Sequence, residues 1–477
     1  MSIEKKVIHG VKWAAFANVL QQLVSLVGLV VFAKLLSPHD FGTFSIIMIF
    51  VGFLAIFSDM GTSAALIHIK KPSDNLLSSV FFLNIIVGIV LTFSLTFVSK
   101  PIARYFDNPD LEELLYVVSF SFIILSFGIV QKTIFQKNMN FKHLTYIDSS
   151  AIFIGLAAGV VAAYSGMGVH SLVIQLLVGS TVNVLSLWYY SSWQPRLYFS
   201  IKEIGLIWKY TANLSVFSII NYFSKNADNF LIGKYLSSSA LGVYSLAYRI
   251  MLYPLQNIST TITRVLFPAL STFQDDNQKF KKAYLKVIFF IALITFPIMT
   301  GLMAIAVPLV EAVFFDKWEG LATLLIILAP SGLLRSVYST VGIIFMAKGN
   351  TNLQLKLGTA NAILTVVGFA VGLRWGVNGV ALAYLVVNVL MLYPTFKISW
   401  KQIGLCVGGG ISVLLPVLMM SIVMGVFTYY FGYWLEGFVD NVFLRLFLMI
   451  LIGATMYLLM IQLRYGNLKS LIGSIKK

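Results

Sequence analysis

Four ionisable side chains lie within long apolar stretches between residues 225 and 335 of this 477-residue sequence: Lys225, Asp228, Arg249 and Arg335. Placing a charge at the centre of a membrane helix costs about 2.5–3.5 kcal/mol, so such a residue should face a protein interior or water. The set is richer in cations than in acids. It therefore predicts a hydrated interior cavity that binds a charged group.

Part of this set shares one helix face. Ser218, Asn221, Lys225 and Asp228 are three, four and three residues apart, which makes them neighbours along a helix. Two other interpretations are open. Lys225 and Asp228 could form a structural ion pair without a ligand, or Asp228 could extend to the membrane interface.

The same pattern stands two hundred residues earlier in the chain. Lys34-Leu35-Leu36-Ser37 and the following Gly42 match Lys234-Tyr235-Leu236-Ser237 and Gly242. The polar stripe of the second copy corresponds to Asn18, Gln21, Ser25 and Gly28. We therefore predict an internal duplication, in which Asn18 and Gln21 either line a cavity or join helices.

Asp59, within Phe57-Ser58-Asp59-Met60-Gly61, is the candidate for ion coupling in the first half. A carboxyl group in an apolar segment can bind a proton, because burial disfavours its charged form. The alternative is a neutral or capped aspartate with a structural role.

Catalytic signatures are missing from the sequence. It contains no Walker lysine motif, no His-Glu-x-x-His and no Gly-x-Ser-x-Gly. A single cysteine, Cys406, excludes an intramolecular disulfide and cysteine-rich metal sites. We therefore expect a protein that is not an enzyme, with no catalytic residues, no metal and no cofactor.

The composition is that of a membrane protein. Hydrophobic residues make up 58% of the chain and charged residues 11%, whereas a soluble protein has about 25% charged residues. The net charge of +16 could suggest nucleic acid as a partner. However, the basic residues are scattered over short loops, so membrane topology explains them better and we expect no nucleic acid.

We predict an all-α polytopic membrane protein with about fourteen transmembrane helices. Residues 1–200 would form an N-lobe with spans 1–6, residues 201–400 a C-lobe with spans 7–12, and residues 401–477 two extra spans and a cytoplasmic tail. The predicted spans are residues 10–36, 41–67, 75–99, 111–136, 144–165, 169–191, 206–233, 240–266, 284–313, 320–346, 352–373, 377–398, 404–430 and 442–464.

The basic residues also predict orientation. With both termini in the cytoplasm, 24 of the 34 Lys and Arg residues fall on the inner side, 7 on the outer side and 3 within spans. A cysteine introduced at Lys279 in a Cys406→Ala background should therefore be labelled only from the inside. Labelling by an impermeant maleimide from outside would overturn this topology.

Five short motifs stand in order over about residues 1–400: 32–42 (FAKLLSPHDFG), 57–61 (FSDMG), 226–233 (NADNFLIG), 241–249 (LGVYSLAYR) and 266–271 (LFPALS). By their order and spacing, the chain resembles the Wzx-type polysaccharide flippases of the multidrug/oligosaccharidyl-lipid/polysaccharide exporter superfamily. The resemblance is greatest to the branch with the colanic acid and teichuronic acid exporters.

This resemblance implies two six-helix lobes around a central cavity that opens to one side at a time. The implied cargo is a polyprenyl-diphosphate-linked oligosaccharide, moved from the inner to the outer leaflet of the bacterial cytoplasmic membrane for surface polysaccharide synthesis. An H⁺ or Na⁺ gradient would drive the step, and a polysaccharide polymerase would be a partner.

Basic residues in the interior suit a diphosphate. We therefore expect Lys225, Arg249 and Arg335 to contact the diphosphate, and Asp228 to orient or neutralise one of them. Asn221, Asn18 and Gln21 complete the predicted cavity.

Two alternatives belong to other classes. A multidrug or small-molecule cation antiporter of the same superfamily would favour carboxylates in its cavity. A membrane polysaccharide polymerase or ligase, the weaker alternative, typically carries a large outer loop, whereas the outer loops here are short.

Overall fold

The computed structural model describes residues 21–59, 61–271, 276–314 and 316–466, which form helices joined by short connections. Helices suit a membrane because they satisfy their backbone hydrogen bonds internally. The described residues divide into two compact units between Gly242 and Val243. The division into N-lobe, C-lobe and extra spans stays a prediction, and the predicted tail beyond Gly466 lies outside the described residues.

Unit 1 contains the helices of the first half, the whole of α9 and the start of α10. Their bounds are α1 Gln21–Leu35, α2 Pro38–Asp59, α3 Thr62–His68, α4 Asp74–Tyr105, α5 Asp110–Ser126, α6 Ile129–Lys137, α7 Phe141–Tyr164, α8 His170–Tyr190, α9 Ile201–Tyr235 and α10 Ser238–Ser271.

Unit 2 contains the rest of α10 and all later helices. They are α11 Asn277–Leu309, a π-helical turn Val310–Phe314, a 3₁₀ turn Asp316–Trp318, α12 Leu321–Tyr338, α13 Val341–Ala347, α14 Thr351–Gly372, a 3₁₀ turn Leu373–Trp375, α15 Gly376–Lys401, α16 Val407–Leu435 and α17 Val442–Tyr465.

These helices confirm an all-α polytopic membrane fold. Among the described residues, nine helical segments are long and apolar enough to cross a membrane, and the bent pair α5–α6 makes a tenth. Each of the fourteen predicted spans overlaps a described helix or a broken helix pair. The count of fourteen stays a prediction.

Three of the predicted spans are interrupted helices. α2 and α3 are separated at Gly61, whose φ of 76° favours glycine, and α5 and α6 meet at a 45° bend. α12 and α13 are separated at Ser339 and Thr340. A broken helix exposes backbone groups that need polar partners, so these breaks explain why polar side chains gather beside them.

A buried aromatic cluster packs against the break between α12 and α13 in unit 2. The Tyr284 hydroxyl lies 2.8 Å from Thr340 Oγ1, and Trp400 Nε1 donates to that hydroxyl at 3.1 Å. Phe396 stacks on Trp400 with ring centroids 4.2 Å apart. Tyr284 and Trp400 are fully buried. This cluster fixes the end of α12 and thereby the position of the side chains one turn earlier.

The two copies of the duplicated motif touch each other within unit 1. Gly42 on α2 and Gly242 on α10 pack backbone against backbone. A Cβ on Gly42 would overlap the Ser238 carbonyl oxygen, and a Cβ on Gly242 would overlap that of Pro38. Only glycine permits this approach, because the atoms in the way belong to the main chain.

Side chains seal this junction. Asn108 Nδ2 donates to Thr43 Oγ1 at 2.9 Å and to Ser238 Oγ at 3.2 Å. Beside it, Lys234 Nζ lies 3.1 Å from a carboxylate oxygen of Asp107. Hydrogen bonds and an ion pair therefore join the start of α2, the α4–α5 turn and the end of α9.

An arginine links the last two helices to the π-helical turn that follows α11. Arg445 near the start of α17 contacts Glu311 of the π-helical turn at 3.0 Å and Glu436 after α16 at 3.1 Å. The arginine side chain is only 12% exposed. Such a partly desolvated, two-partner ion network holds its helices more firmly than an exposed pair does.

Candidate functional site

Arg335, a predicted cavity residue, is held by two tyrosines in unit 2. Its Nη1 donates to the hydroxyl of Tyr248 at 2.5 Å and also to the hydroxyl of Tyr384. The two phenol oxygens lie 3.4 Å apart. Because Arg335 is on α12, Tyr248 on α10 and Tyr384 on α15, three helices meet at this guanidinium.

Hydrogen bonds orient the charge of Arg335, and the described residues do not neutralise it. Its hydrogen bonds go to phenol oxygens, and no carboxylate in the described part of the chain lies within ion-pair distance. A phenol accepts a hydrogen bond without carrying a negative charge at neutral pH. The arrangement can therefore attract an anion. An arginine paired with a carboxylate would attract an anion less strongly.

Stacked rings support the two tyrosines. Tyr244 stacks on Tyr248, with centroids 5.8 Å apart and an interplanar angle of 18°. Phe369 of α14 stacks on Tyr384 at 5.9 Å and 30°. Stacking and burial restrict ring motion, so the hydroxyl groups stay where Arg335 can reach them. Neither tyrosine was predicted from the sequence as a site residue, although Tyr248 directly precedes Arg249 in one of the quoted motifs.

The other predicted charges have different surroundings. Lys225 and Arg249 are exposed and make no hydrogen bond or ion pair with the residues described here. Asp228 is 3% exposed and accepts a hydrogen bond from the Asn229 N–H at 2.8 Å. Lys225 and Asp228 therefore do not pair with each other. Their gathering with Arg249 and Arg335 into one cavity stays a prediction.

The predicted polar lining is described only in part. Asn18 lies outside the described residues, as does the side chain of Asn221. Gln21 Nε2 donates to Ser149 Oγ at 3.4 Å, which links α1 to α7. This is the helix-joining contact that the sequence left open as an alternative to cavity lining.

Asp59 caps the short helix α3 across the break that follows α2. Its Oδ1 accepts hydrogen bonds from the Thr62 hydroxyl at 2.8 Å, the Ser63 hydroxyl at 2.8 Å and the Ser63 N–H at 2.9 Å. Thr133 Oγ1 on α6 lies 2.8 Å from Ser63 Oγ, so the second broken pair contacts the first. Oδ2 accepts no hydrogen bond within the described ranges, which leaves it available for a proton or an ion.

An Asp59→Asn variant separates capping from ion coupling. The amide oxygen can still cap α3, but the side chain can no longer titrate. We expect this variant to keep its unfolding temperature and lose gradient-driven export, whereas Asp59→Ala should also lose about 1 kcal/mol of stability. Thermal unfolding and export at matched protein level measure the two effects.

The matched control is Asp276→Asn. Asp276 caps α11 outside the predicted spans, where backbone N–H donation from Lys279, with a smaller contribution from Gln278, lowers the pKa of its carboxyl. If both asparagine variants export at the wild-type rate, Asp59 has no role in ion coupling and serves only as a helix cap.

Comparison with solved structures defines the class of the protein. The chain superimposes on the lipid II flippase MurJ in its inward closed conformation, with a TM-score of 0.80 and 21% identity over 96% of this chain and 99% of MurJ. The chain also superimposes on an inward-facing multidrug resistance MATE family transporter of the MOP superfamily. The TM-score is 0.66 and the sequence identity 17%, over 80% of this chain and 94% of the transporter. The protein therefore has the multi-pass helical fold that these two transporters share.

Sequence comparison then gives the family. Residues 31–323 match the family model described as polysaccharide biosynthesis protein, and the chain belongs to that family. The lipopolysaccharide biosynthesis protein WzxC of Escherichia coli is 30% identical over 89% of each chain. The teichuronic acid biosynthesis protein TuaB of Bacillus subtilis is 26% identical over 98% of each chain. These relatives confirm the resemblance that the sequence motifs indicated.

Proposed function

We propose that this protein moves a polyprenyl-diphosphate-linked oligosaccharide from the inner to the outer leaflet of the bacterial cytoplasmic membrane for surface polysaccharide synthesis. The observation that carries the proposal is the Tyr248–Arg335–Tyr384 cluster, where a guanidinium that pairs with no carboxylate of the described residues is fixed among apolar helices. Diphosphate oxygens are strong acceptors for such a group. Membership of the polysaccharide biosynthesis family supports a lipid-linked sugar as the cargo.

The proposal includes alternating access driven by a cation gradient, with both termini in the cytoplasm. The basic residues on the predicted inner side support the orientation. The Oδ2 of Asp59, which accepts no hydrogen bond from the described residues, supports H⁺ or Na⁺ coupling. A polysaccharide polymerase on the outer side would consume the product.

Deletion of the gene in the producing strain tests the function. We expect the lipid-linked oligosaccharide to accumulate on the inner leaflet and surface polymer to disappear, with both reversed by the wild-type chain. An unchanged lipid-linked pool, together with increased sensitivity to cationic dyes, would instead favour the antiporter alternative. Identification of the accumulated sugars by mass spectrometry would define the cargo.

A further inference from the structure

Among the described residues, the hydrogen bonds of Arg335 involve a single nitrogen of its guanidinium group. A guanidinium group has five N–H donors, two on each terminal nitrogen and one on Nε. Both hydrogen bonds of Arg335 leave from Nη1, one to Tyr248 and one to Tyr384. Nε and Nη2 have no hydrogen-bond partner in the described part of the chain, and neither is a fully buried, unsatisfied atom.

The unused nitrogens form one edge of the guanidinium plane. This edge presents two parallel N–H groups, the arrangement that matches two phosphate oxygens. Because both hydrogens of Nη1 are engaged, an anion that binds in the guanidinium plane must approach at the Nε–Nη2 edge. The tyrosines thus select the direction from which a phosphate can be bound in a bidentate manner.

We infer that Tyr248 and Tyr384 are positioning residues that aim the Nε–Nη2 edge of Arg335 at a phosphate group of the cargo. The inference rests on the proposed function and deepens it by naming the residues that set the geometry of diphosphate binding. Tyr384 is 7% exposed, and each tyrosine is stacked on a second ring, so neither hydroxyl can easily follow a displaced guanidinium. Lysine at position 335 would offer a single point charge without this edge.

Binding to the purified full-length chain in detergent tests the inference. The probes are undecaprenyl diphosphate and undecaprenol, which share a tail and differ in the anion. We expect the Tyr248→Phe, Tyr384→Phe double variant to raise the Kd for the diphosphate about tenfold. Arg335→Gln should raise it about a hundredfold, and Arg335→Lys should not restore it. The Kd for undecaprenol should stay unchanged in all variants.

Tyr457→Phe is the matched control. Tyr457 is a buried tyrosine of unit 2 whose hydroxyl donates to the Leu293 carbonyl oxygen at 2.9 Å, so its loss removes a comparable hydrogen bond without touching Arg335. We expect this variant to bind the diphosphate with wild-type affinity. A tenfold loss here would mean that any buried phenol has the same effect, and would overturn the inference.

A double-mutant cycle decides whether the tyrosines act through Arg335. In an Arg335→Gln background, the two Tyr→Phe changes should alter the Kd for the diphosphate by less than about twofold. A full tenfold effect in that background would assign the tyrosines a structural role and overturn the inference. Failure of the wild-type chain to restore polymer in the deletion strain would overturn the flippase function instead, because binding in detergent requires no transport.

Discussion

Export by a chain that carries both Arg249→Ala and Arg335→Ala is expected to fall about a hundredfold or more, because each charged hydrogen-bonding group contributes about 1.5–3 kcal/mol. Lys225→Ala should weaken export less, since lysine acts as a mobile point charge. Arg249→Lys should still be harmful despite its charge, because it loses the paired donors. Polymer export in a deletion strain, normalised to protein level by blot, measures all of these effects.

The matched control for this experiment is Arg374→Ala. Arg374 is an exposed arginine in the 3₁₀ turn between α14 and α15 and belongs to no predicted site. We expect its removal to leave export intact. If the three single alanine variants at Lys225, Arg249 and Arg335 all export at wild-type rates, the cationic-cavity mechanism is wrong and these charges are structural.

A methyl group added at Gly42 or Gly242 is expected to destabilise unit 1 strongly. The Cβ of either alanine would overlap a main-chain carbonyl of the other helix start, and neither carbonyl can rotate away. Overpacking typically costs about 1–3 kcal/mol, and the Asn108 hydrogen bonds to Thr43 and Ser238 should weaken as the helices separate. We expect a lower unfolding temperature and reduced export for each variant.

Gly358→Ala is the control for the destabilisation expected from alanine at Gly42 or Gly242. Gly358 lies within α14, and a Cβ there would meet no atom within 4 Å. Alanine is the better helix former by about 1 kcal/mol, so this variant should be as stable as the wild type or more so. Equal stability of all three alanine variants would show that the Gly42–Gly242 approach is not needed for the folded state.

The sequence predicted the helices better than their contacts. Long apolar runs are sufficient to place membrane helices, and the repeated motif made Gly42 and Gly242 equivalent positions. Nothing in a repeat, however, indicates that its two copies touch. The breaks after Asp59 and Tyr338 were also missed, because the surrounding residues remain apolar while the interruption depends on polar partners from other helices.

In the candidate site, the sequence likewise predicted the charged residue but not the residues that contact it. A lone arginine in an apolar run is conspicuous, so Arg335 was predicted. Tyr248 and Tyr384 are 136 residues apart and resemble ordinary packing residues in a chain with 22 tyrosines. Only the fold brings their hydroxyl groups to one nitrogen. A structural role of Asp59 was an open alternative in the sequence, but its hydrogen bonds to Thr62 and Ser63 became visible only with the break between α2 and α3.

The arginine that links the last two helices to the π-helical turn after α11 has a consequence for biogenesis. Glu311 precedes Arg445 by 134 residues, so the ribosome delivers the acidic side chain to the membrane long before its cation. Glu436 likewise precedes that cation. The ion network of unit 2 can therefore form only once α17 has been inserted. A nascent chain that stops before Val442 would present two carboxylates without their shared arginine, so the ion network marks the insertion of α17.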